Sequence, residues 1–179
     1  MSAQLRAPAS GGVTERSSDD WFDALYRANA HDLYAYVASL LRDRAAAEDV
    51  TALAFERAYR RRRLFSPRRG SSRGWLFGIA RNAALDELRR RRRTVALVTE
   101  PSDVEVDLFA EHEHALRRTV VRAALAALEP SEREIVLLKF HGQLSNAELA
   151  RTVGITESNA GTRLHRAVQK LREACDVAA

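Results

Sequence analysis

The stretch Ser145-Asn146-Ala147-Glu148-Leu149-Ala150-Arg151-Thr152-Val153-Gly154-Ile155-Thr156-Glu157-Ser158-Asn159-Ala160-Gly161-Thr162-Arg163-Leu164-His165-Arg166 decides the fold. Ser145 stands where an N-cap belongs, with Glu148 three residues on, which is the reciprocal pattern of a capping box. Leu149, Ala150 and Val153 give the short helix that follows one apolar face. Gly154 sits where a tight turn needs positive φ. Thr156 then caps a longer helix with Ala160, Leu164, Ala167, Val168 and Leu171 on its inner face. Short helix, glycine turn and longer helix make a helix-turn-helix, with Ala150 small where the helices must approach and Ile155 and Leu164 as its plug. In such a unit the second helix enters the major groove and its N-terminal half reads base edges. The side chains expected outside are Glu157, Ser158, Asn159, Thr162, Arg163, His165 and Arg166, with Gly161 among them. Arg163 and Arg166 suit guanine or phosphate. The competing reading is an ordinary helical hairpin with a solvated face.

Upstream, Leu116, Val120, Ala124 and Leu128 recur at helical spacing as far as Pro130. Ser131 with Glu134 predicts a second capping box, opening a helix through Ile135, Leu138 and Lys139 to His141-Gly142. Residues 94–112 break the pattern with Pro101 and the acids Glu100, Asp103, Glu105, Asp107 and Glu111, and predict a linker. Before it, Leu33, Val37, Leu40 and Leu41 mark one helix, and Val50, Leu53, Ala54 and Ala58 a second. A loop follows at Ser66-Pro67-Arg68-Arg69-Gly70-Ser71-Ser72, then a third helix over about residues 73–93. Residues 1–18, rich in Ser, Gly and Ala, predict a disordered tail. The expected fold is all-α: two small helical domains, residues 19–93 and 113–179, joined by an acidic flexible linker, with the helix-turn-helix in the second. At 60–80 residues each, their cores are marginal, and either unit can need the other to become rigid.

The composition agrees. The chain has 179 residues, with 29 Lys+Arg, 24 Asp+Glu, 8 Gly and 4 Pro. A lone cysteine, Cys175, excludes an internal disulfide and a Cys-based zinc cage. No apolar h-region opens the sequence and no apolar run approaches a membrane span, so a cytoplasmic protein without membrane insertion is expected. Charge is uneven: residues 1–93 carry 19 basic and 11 acidic side chains, net +8, residues 94–129 net −4, and residues 130–179 net +1. Between residues 54 and 93, 14 Arg face only Glu56, Asp86 and Glu87, and a block this basic seeks a polyanion or an acidic surface.

The Arg-rich third helix is the second candidate interface. Its five consecutive Arg, residues 89–93, could be a solvated run matched to the helix dipole. They follow Trp75, Phe77, Asn82 and Asp86, and aromatics among Arg are what unstacked bases require, although Phe77 reads better as core. Enzyme chemistry finds no support. His112-Glu113-His114 places its histidines at i and i+2, which do not share a helix face. No phosphate loop, Ser/His/Asp arrangement or paired carboxylates stand out. No catalytic residue, metal or cofactor is expected.

Three stretches together resemble a bacterial sigma factor of the extracytoplasmic-function (ECF) group of the sigma-70 family. Ala47-Glu48-Asp49-Val50 with Phe55-Glu56-Arg57-Ala58-Tyr59 is similar to the family's core-polymerase-binding helix. Gly74-Trp75-Leu76-Phe77-Gly78-Ile79-Ala80-Arg81-Asn82-Ala83-Ala84-Leu85-Asp86 with the Arg run resembles its minus-ten regions. Leu128-Glu129-Pro130-Ser131-Glu132-Arg133-Glu134 with Thr162-Arg163-Leu164-His165-Arg166-Ala167 resembles its minus-thirty-five region. The resemblance implies a dissociable promoter-specificity subunit. Glu48, Asp49, Phe55 and Arg57 would bind the clamp helices of core RNA polymerase. The loop over residues 66–73, with Ser66, Arg68, Arg69, Ser71 and Arg73, would capture a flipped minus-ten base beside Trp75. Asn82 would read a base with Asp86 one turn on, and Arg89 and Arg90 would hold phosphates. Ser158, Asn159, Thr162, Arg163, His165 and Arg166 would read the minus-thirty-five element of promoter DNA, in a unit that also contacts the polymerase flap. An anti-sigma factor is the implied inhibitor, and could hold the protein at the membrane.

Two departures stand out. Thr51-Ala52-Leu53 replaces the family's polar Val-Gln-Glu after its acidic pair, and Ala160-Gly161 replaces Val-Lys or Val-Arg in the recognition helix. The first motivates an alternative, a sigma-like helix-turn-helix regulator that does not bind core productively.

Overall fold

A computed structural model describes residues 11–95 and 112–177, with side chains described over residues 18–93 and 119–176. Seven α-helices are present, with no strand among the described residues: α1 (Gly11–Leu41), α2 (Arg44–Arg61), α3 (Ser72–Val95), α4 (His112–Ala127), α5 (Pro130–Phe140), α6 (Asn146–Val153) and α7 (Glu157–Val177). Two short 3-10 turns, Arg62–Leu64 and Pro67–Arg69, link α2 to α3. The linker expected over residues 94–112 falls mostly outside the described residues, though α3 runs to Val95 and α4 begins at His112.

The first unit, α1–α3, is built on its small and branched inner faces. Leu33, Tyr36 and Val37 of α1 meet Ala47, Ala54 and Ala58 of α2 and Leu76, Phe77, Ala80 and Ala84 of α3. The alanines let α2 and α3 approach closely, and each large apolar side chain so buried contributes about 1.5–3 kcal/mol. Arg42, at φ 52°, reverses the chain after α1. Asp43 then caps α2 by accepting the Ala46 N–H at 3.0 Å.

In the second unit Leu128, Val136 and Ala167, with Leu125, Leu164 and Leu171 against them, close α4, α5 and α7. The helix-turn-helix forms as its caps dictate. Ser145 and Glu148 complete the capping box, Gly154 adopts φ 76°, and the Thr156 hydroxyl accepts the Asn159 N–H at 3.3 Å. Leu137, Leu138, Leu144, Leu149, Ala150 and Ala160 join the core of the first unit, so one apolar cluster runs through both. Gly142 sits at the seam: a Cβ there would lie 3.2 Å from Phe77 and 2.4 Å from the Leu138 carbonyl oxygen.

Two local expectations are corrected. Ser131 does not cap α5; Pro130 takes the first helical position and Glu129 the cap position, without a side-chain cap bond. Glu134 turns inward instead, and Arg133 reaches back to the carbonyls of Leu125, Ala126 and Leu128 at 2.7, 2.7 and 3.0 Å, ending α4. Helix α1 also starts at Gly11, so residues 11–18, read as tail, are helical. Once a nucleus exists, each added residue gains a backbone bond without needing an apolar face.

Candidate nucleic-acid interface

The loop before α3 is shaped by its backbone. Pro67–Arg69 makes one tight turn, and Gly70 at φ 139° takes a conformation that side chains resist. Ser71 caps α3: its Oγ accepts the Gly74 N–H at 3.0 Å. Behind the loop stands an aromatic cluster. Trp21 stacks on Phe65 with centroids 5.1 Å apart, and Trp75 lies 5.5 Å from Phe65. Ser66, Arg69, Ser71, Trp75 and Asn82 thus line a cleft of about 360 Å³. Arg68, Arg69, Asn82, Asp86, Arg89 and Arg90 are exposed, and Ser66 and Trp75 half-buried. A flat aromatic wall, a bidentate amide and cations in one cleft can stack and hydrogen-bond an unpaired base.

The basic block divides when folded. Arg62 is consumed by Asp19 at 3.0 Å, the Tyr59 carbonyl at 2.9 Å and the Tyr59 ring at 3.8 Å. Arg91 ties the end of α3 to the cap of α2, donating to Asp43 at 2.7 Å and Glu87 at 2.8 Å. Arg73, expected on DNA, faces inward to Asn29, Asp32 and two carbonyls. On α2, Glu48 and Asp49 are exposed, Glu48 accepting from Arg44 at 3.0 Å, while Arg57 is half-buried 3.8 Å from Asp86. Phe55, expected on the polymerase, is 7% exposed and packs on Tyr26, 4.7 Å between centroids. Ala52 lies exposed beside the acids, leaving that face with little to hydrogen-bond beyond Glu48, Asp49 and Glu56.

On α7, Ser158, Asn159, Thr162, Arg163, His165 and Arg166 are all exposed, with Ala160, Ala167 and Leu164 beneath them. Arg163 Nε donates to Asn159 Oδ1 at 3.0 Å and Thr162 Oγ1 to the Ser158 carbonyl at 3.0 Å, which pre-positions the side chains of three of the six, Asn159, Thr162 and Arg163. Gly161 has no packing need, since a Cβ there would meet only Asn146 Nδ2, at 3.5 Å. Gly161→Ala is therefore expected to stabilise the chain by about 1 kcal/mol, measured as a rise in unfolding midpoint in denaturant. A fall would show a constraint on α7 that packing does not explain.

Sequence reasoning missed what covers the cleft. Glu148, Arg151 and Thr152 of α6 form its far wall. Ser71 Oγ donates to the Glu148 carboxylate, and Arg151 Nη1 to the Arg69 carbonyl. Glu148 also accepts the Ser145 N–H at 2.9 Å and the Ser145 hydroxyl at 2.8 Å. The capping box was visible in the sequence; its reach across 77 residues to Ser71 carries no local signal.

Burial pushes the Glu148 carboxyl upward, but the Ser71 and Ser145 hydrogen bonds outweigh it and bring the pKa from 4.5 to about 2. Hydrogen bonds from Arg90, then Arg91, likewise hold Glu87 at about 2 against its burial. Both carboxyls are more acidic folded than unfolded. Their stabilisation is complete above pH 4.5 and is lost as pH falls towards 2. The thermal midpoint is expected to drop over that window, with Glu87→Gln and Glu148→Gln each flattening the drop. An equal slope in all three proteins would refute the assignment.

The family model described as Sigma-70 region 2 matches residues 25–94, and that described as Sigma-70, region 4 matches residues 118–171. Among curated proteins, the chain is 34% identical over 151 residues to the ECF RNA polymerase sigma factor SigL of Mycobacterium tuberculosis, covering 83% of this chain and 85% of that one. It is 32% identical over 161 residues to the RNA polymerase sigma factor CarQ of Myxococcus xanthus, covering 87% and 90%. Among solved structures it is similar to the sigma factor RpoE of Bartonella quintana, crystallised with the anti-sigma factor NepR: TM-score 0.73, 22% identity, covering 87% of this chain and 97% of that one.

Proposed function

Because this chain belongs to the ECF group of the sigma-70 family, we propose that it binds core RNA polymerase and directs promoter-specific initiation of transcription. The observation that carries the reading is the pair of separate nucleic-acid-type faces on one chain. One is a cleft with an aromatic wall, Asn82 and arginines, suited to an unstacked base. The other is an exposed recognition helix suited to a major groove. In this reading residues 19–93 open and read the minus-ten element with Ser66, Arg68, Arg69, Trp75, Asn82 and Asp86, while Arg89 and Arg90 hold phosphates. Residues 113–179 read the minus-thirty-five element through α7, and residues 94–112 connect the two.

Glu48, Asp49 and Arg57 are the side chains of α2 offered to the clamp helices; Phe55 supports them from beneath. Sigma-70 family members are in general not enzymes, and the polymerase performs the chemistry that this chain aims. Among the described residues no helix is long and apolar enough to cross a membrane, and the proposed place of action is the cytoplasm. An anti-sigma factor belongs to the proposal as partner, since the sigma factor RpoE is solved with one.

Reconstituted transcription tests it. With bacterial core polymerase and a genomic DNA library, adding this protein is expected to create transcript starts that share two upstream elements. No new starts and no co-purification with core would overturn the reading.

A further inference from the structure

The cleft before α3 has two walls, and only one of them enters the promoter reading. Trp75 and Asn82 stand on α3, while Glu148, Arg151 and Thr152 stand on α6. We propose that this cleft binds a free adenine nucleotide, with the base on the α3 wall and the phosphate between Arg69 and Arg151. The proposal rests on the promoter reading only in using Trp75 and Asn82 for a base.

The space suits one small molecule. Its volume, about 360 Å³, falls within the roughly 300–1,000 Å³ of small-ligand pockets. Its lining has their character too: Leu64, Phe65, Trp75 and Ile79 beside a few polar groups. Trp75 is braced by Phe65 and Trp21, with centroids 5.5 and 6.2 Å away, so its ring is held in place before a base arrives. Gly78 keeps the neighbouring surface of α3 bare: a Cβ there would meet nothing within 4 Å. A purine offers such a wall the larger stacking face.

The polar groups select the ligand. The Asn82 amide and the Arg69 guanidinium are exposed and have no partner among the described residues. An amide pairs with adenine at two points, accepting from N6–H and donating to N7. Guanine presents two acceptors along that edge, O6 and N7, and leaves the amide oxygen unpaired. Arg151 spends Nε on the Ala147 carbonyl and Nη1 on the Arg69 carbonyl, which leaves Nη2 for an anion. Gly70 lets it come so close to the loop, since a Cβ there would lie 3.0 Å from Arg151 Nη1. Two guanidiniums suit a phosphate.

Glu148 sets which way the nucleotide lies. Its Oε2 takes both Ser145 donors and its Oε1 the Ser71 hydroxyl. A carboxylate has about four acceptor sites, so Oε1 keeps one. That site takes a ribose hydroxyl and repels a phosphate, which is left to the arginines. Bound nucleotide and promoter base would use the same Trp75 ring, so the nucleotide acts as a competitor of base capture.

Calorimetry on the full-length chain, without DNA or polymerase, tests this with AMP, GMP, adenosine and orthophosphate as titrants. AMP is expected to bind about tenfold more tightly than GMP, and more tightly than adenosine or orthophosphate. Asn82→Asp, whose side chain only accepts, is expected to erase the preference for AMP over GMP. Arg151→Ala is expected to weaken AMP about tenfold and to leave adenosine binding unchanged. Both positions are exposed, so neither change disturbs the core. AMP binding no tighter than GMP or orthophosphate, or Arg151→Ala binding AMP as the parent does, would overturn the inference. Failure of the promoter reading is separate, seen as absent core-dependent starts from a chain that still binds AMP in this way.

Discussion

Arg73→Ala is expected to lower the unfolding free energy by about 3 kcal/mol, a fall in Tm of roughly 6–12 °C for a chain of this size. One guanidinium serves four acceptors: Asn29 Oδ1 at 2.7 Å, Asp32 Oδ2 at 2.6 Å, and the carbonyls of His141 and Gly142 at 2.6 Å each. Its stem carries the charge past the Phe77 ring, 5.2 Å from the centroid. Truncation leaves Asn29, 4% exposed, with only its bond to the Leu25 carbonyl at 2.7 Å, and leaves Asp32 without its counter-charge. Leaving buried polar groups unpaired costs more than the bonds themselves contribute. Arg73→Lys is expected to recover little, because a point charge cannot present the planar fork that reaches four acceptors, two on α1 and two in the turn after α5. A lysine variant as stable as the parent, measured by calorimetry, would show that charge alone is what the site requires.

Arg73 also marks where sequence reading stops. The helix-turn-helix was legible because its signals are local: Ser145 and Glu148 lie three residues apart, Gly154 needs only its own φ, and Thr156 caps the turn beside it. Helical periodicity likewise placed Leu33, Val37, Ala54 and Ala58 in the core. Arginines carry no such local label. Arg68 and Arg69 stay on the surface, whereas Arg73 and Arg81 turn inward, because acceptors 41 to 69 residues away happen to face them. Phe55 shows the same limit from the apolar side. Its helix position suits a surface role, but Phe22, Tyr26 and Tyr59 form an aromatic cluster that encloses it. Ser131 lost its expected cap to Pro130, whose fixed φ sets the start of α5 two residues earlier.

The pair at the seam supplies the second large effect, and its sign depends on how it is removed. Glu134→Leu alone is expected to destabilise the chain by about 3–5 kcal/mol, since Arg81 is left charged and buried without a partner. Arg81→Met with Glu134→Leu is expected to raise stability by about 1–4 kcal/mol instead, roughly 2–4 °C in Tm for each kcal/mol. The geometry argues for that reversal. Arg81 Nη2 donates to Glu134 Oε2 at a long 3.2 Å, while Nε lies 2.9 Å from Oε1 at an angle that makes no hydrogen bond, so both atoms are buried without a partner. The Tyr36 hydroxyl beside them is buried and unpaired as well, its pKa pushed well up by burial and then by the Glu134 carboxylate. Two desolvated charges with incomplete hydrogen bonding offset little of their own desolvation. The doubly substituted chain is expected to unfold at a higher temperature than the parent. Equal instability of the single and double variants in thermal unfolding would show that the pair stabilises the seam on balance.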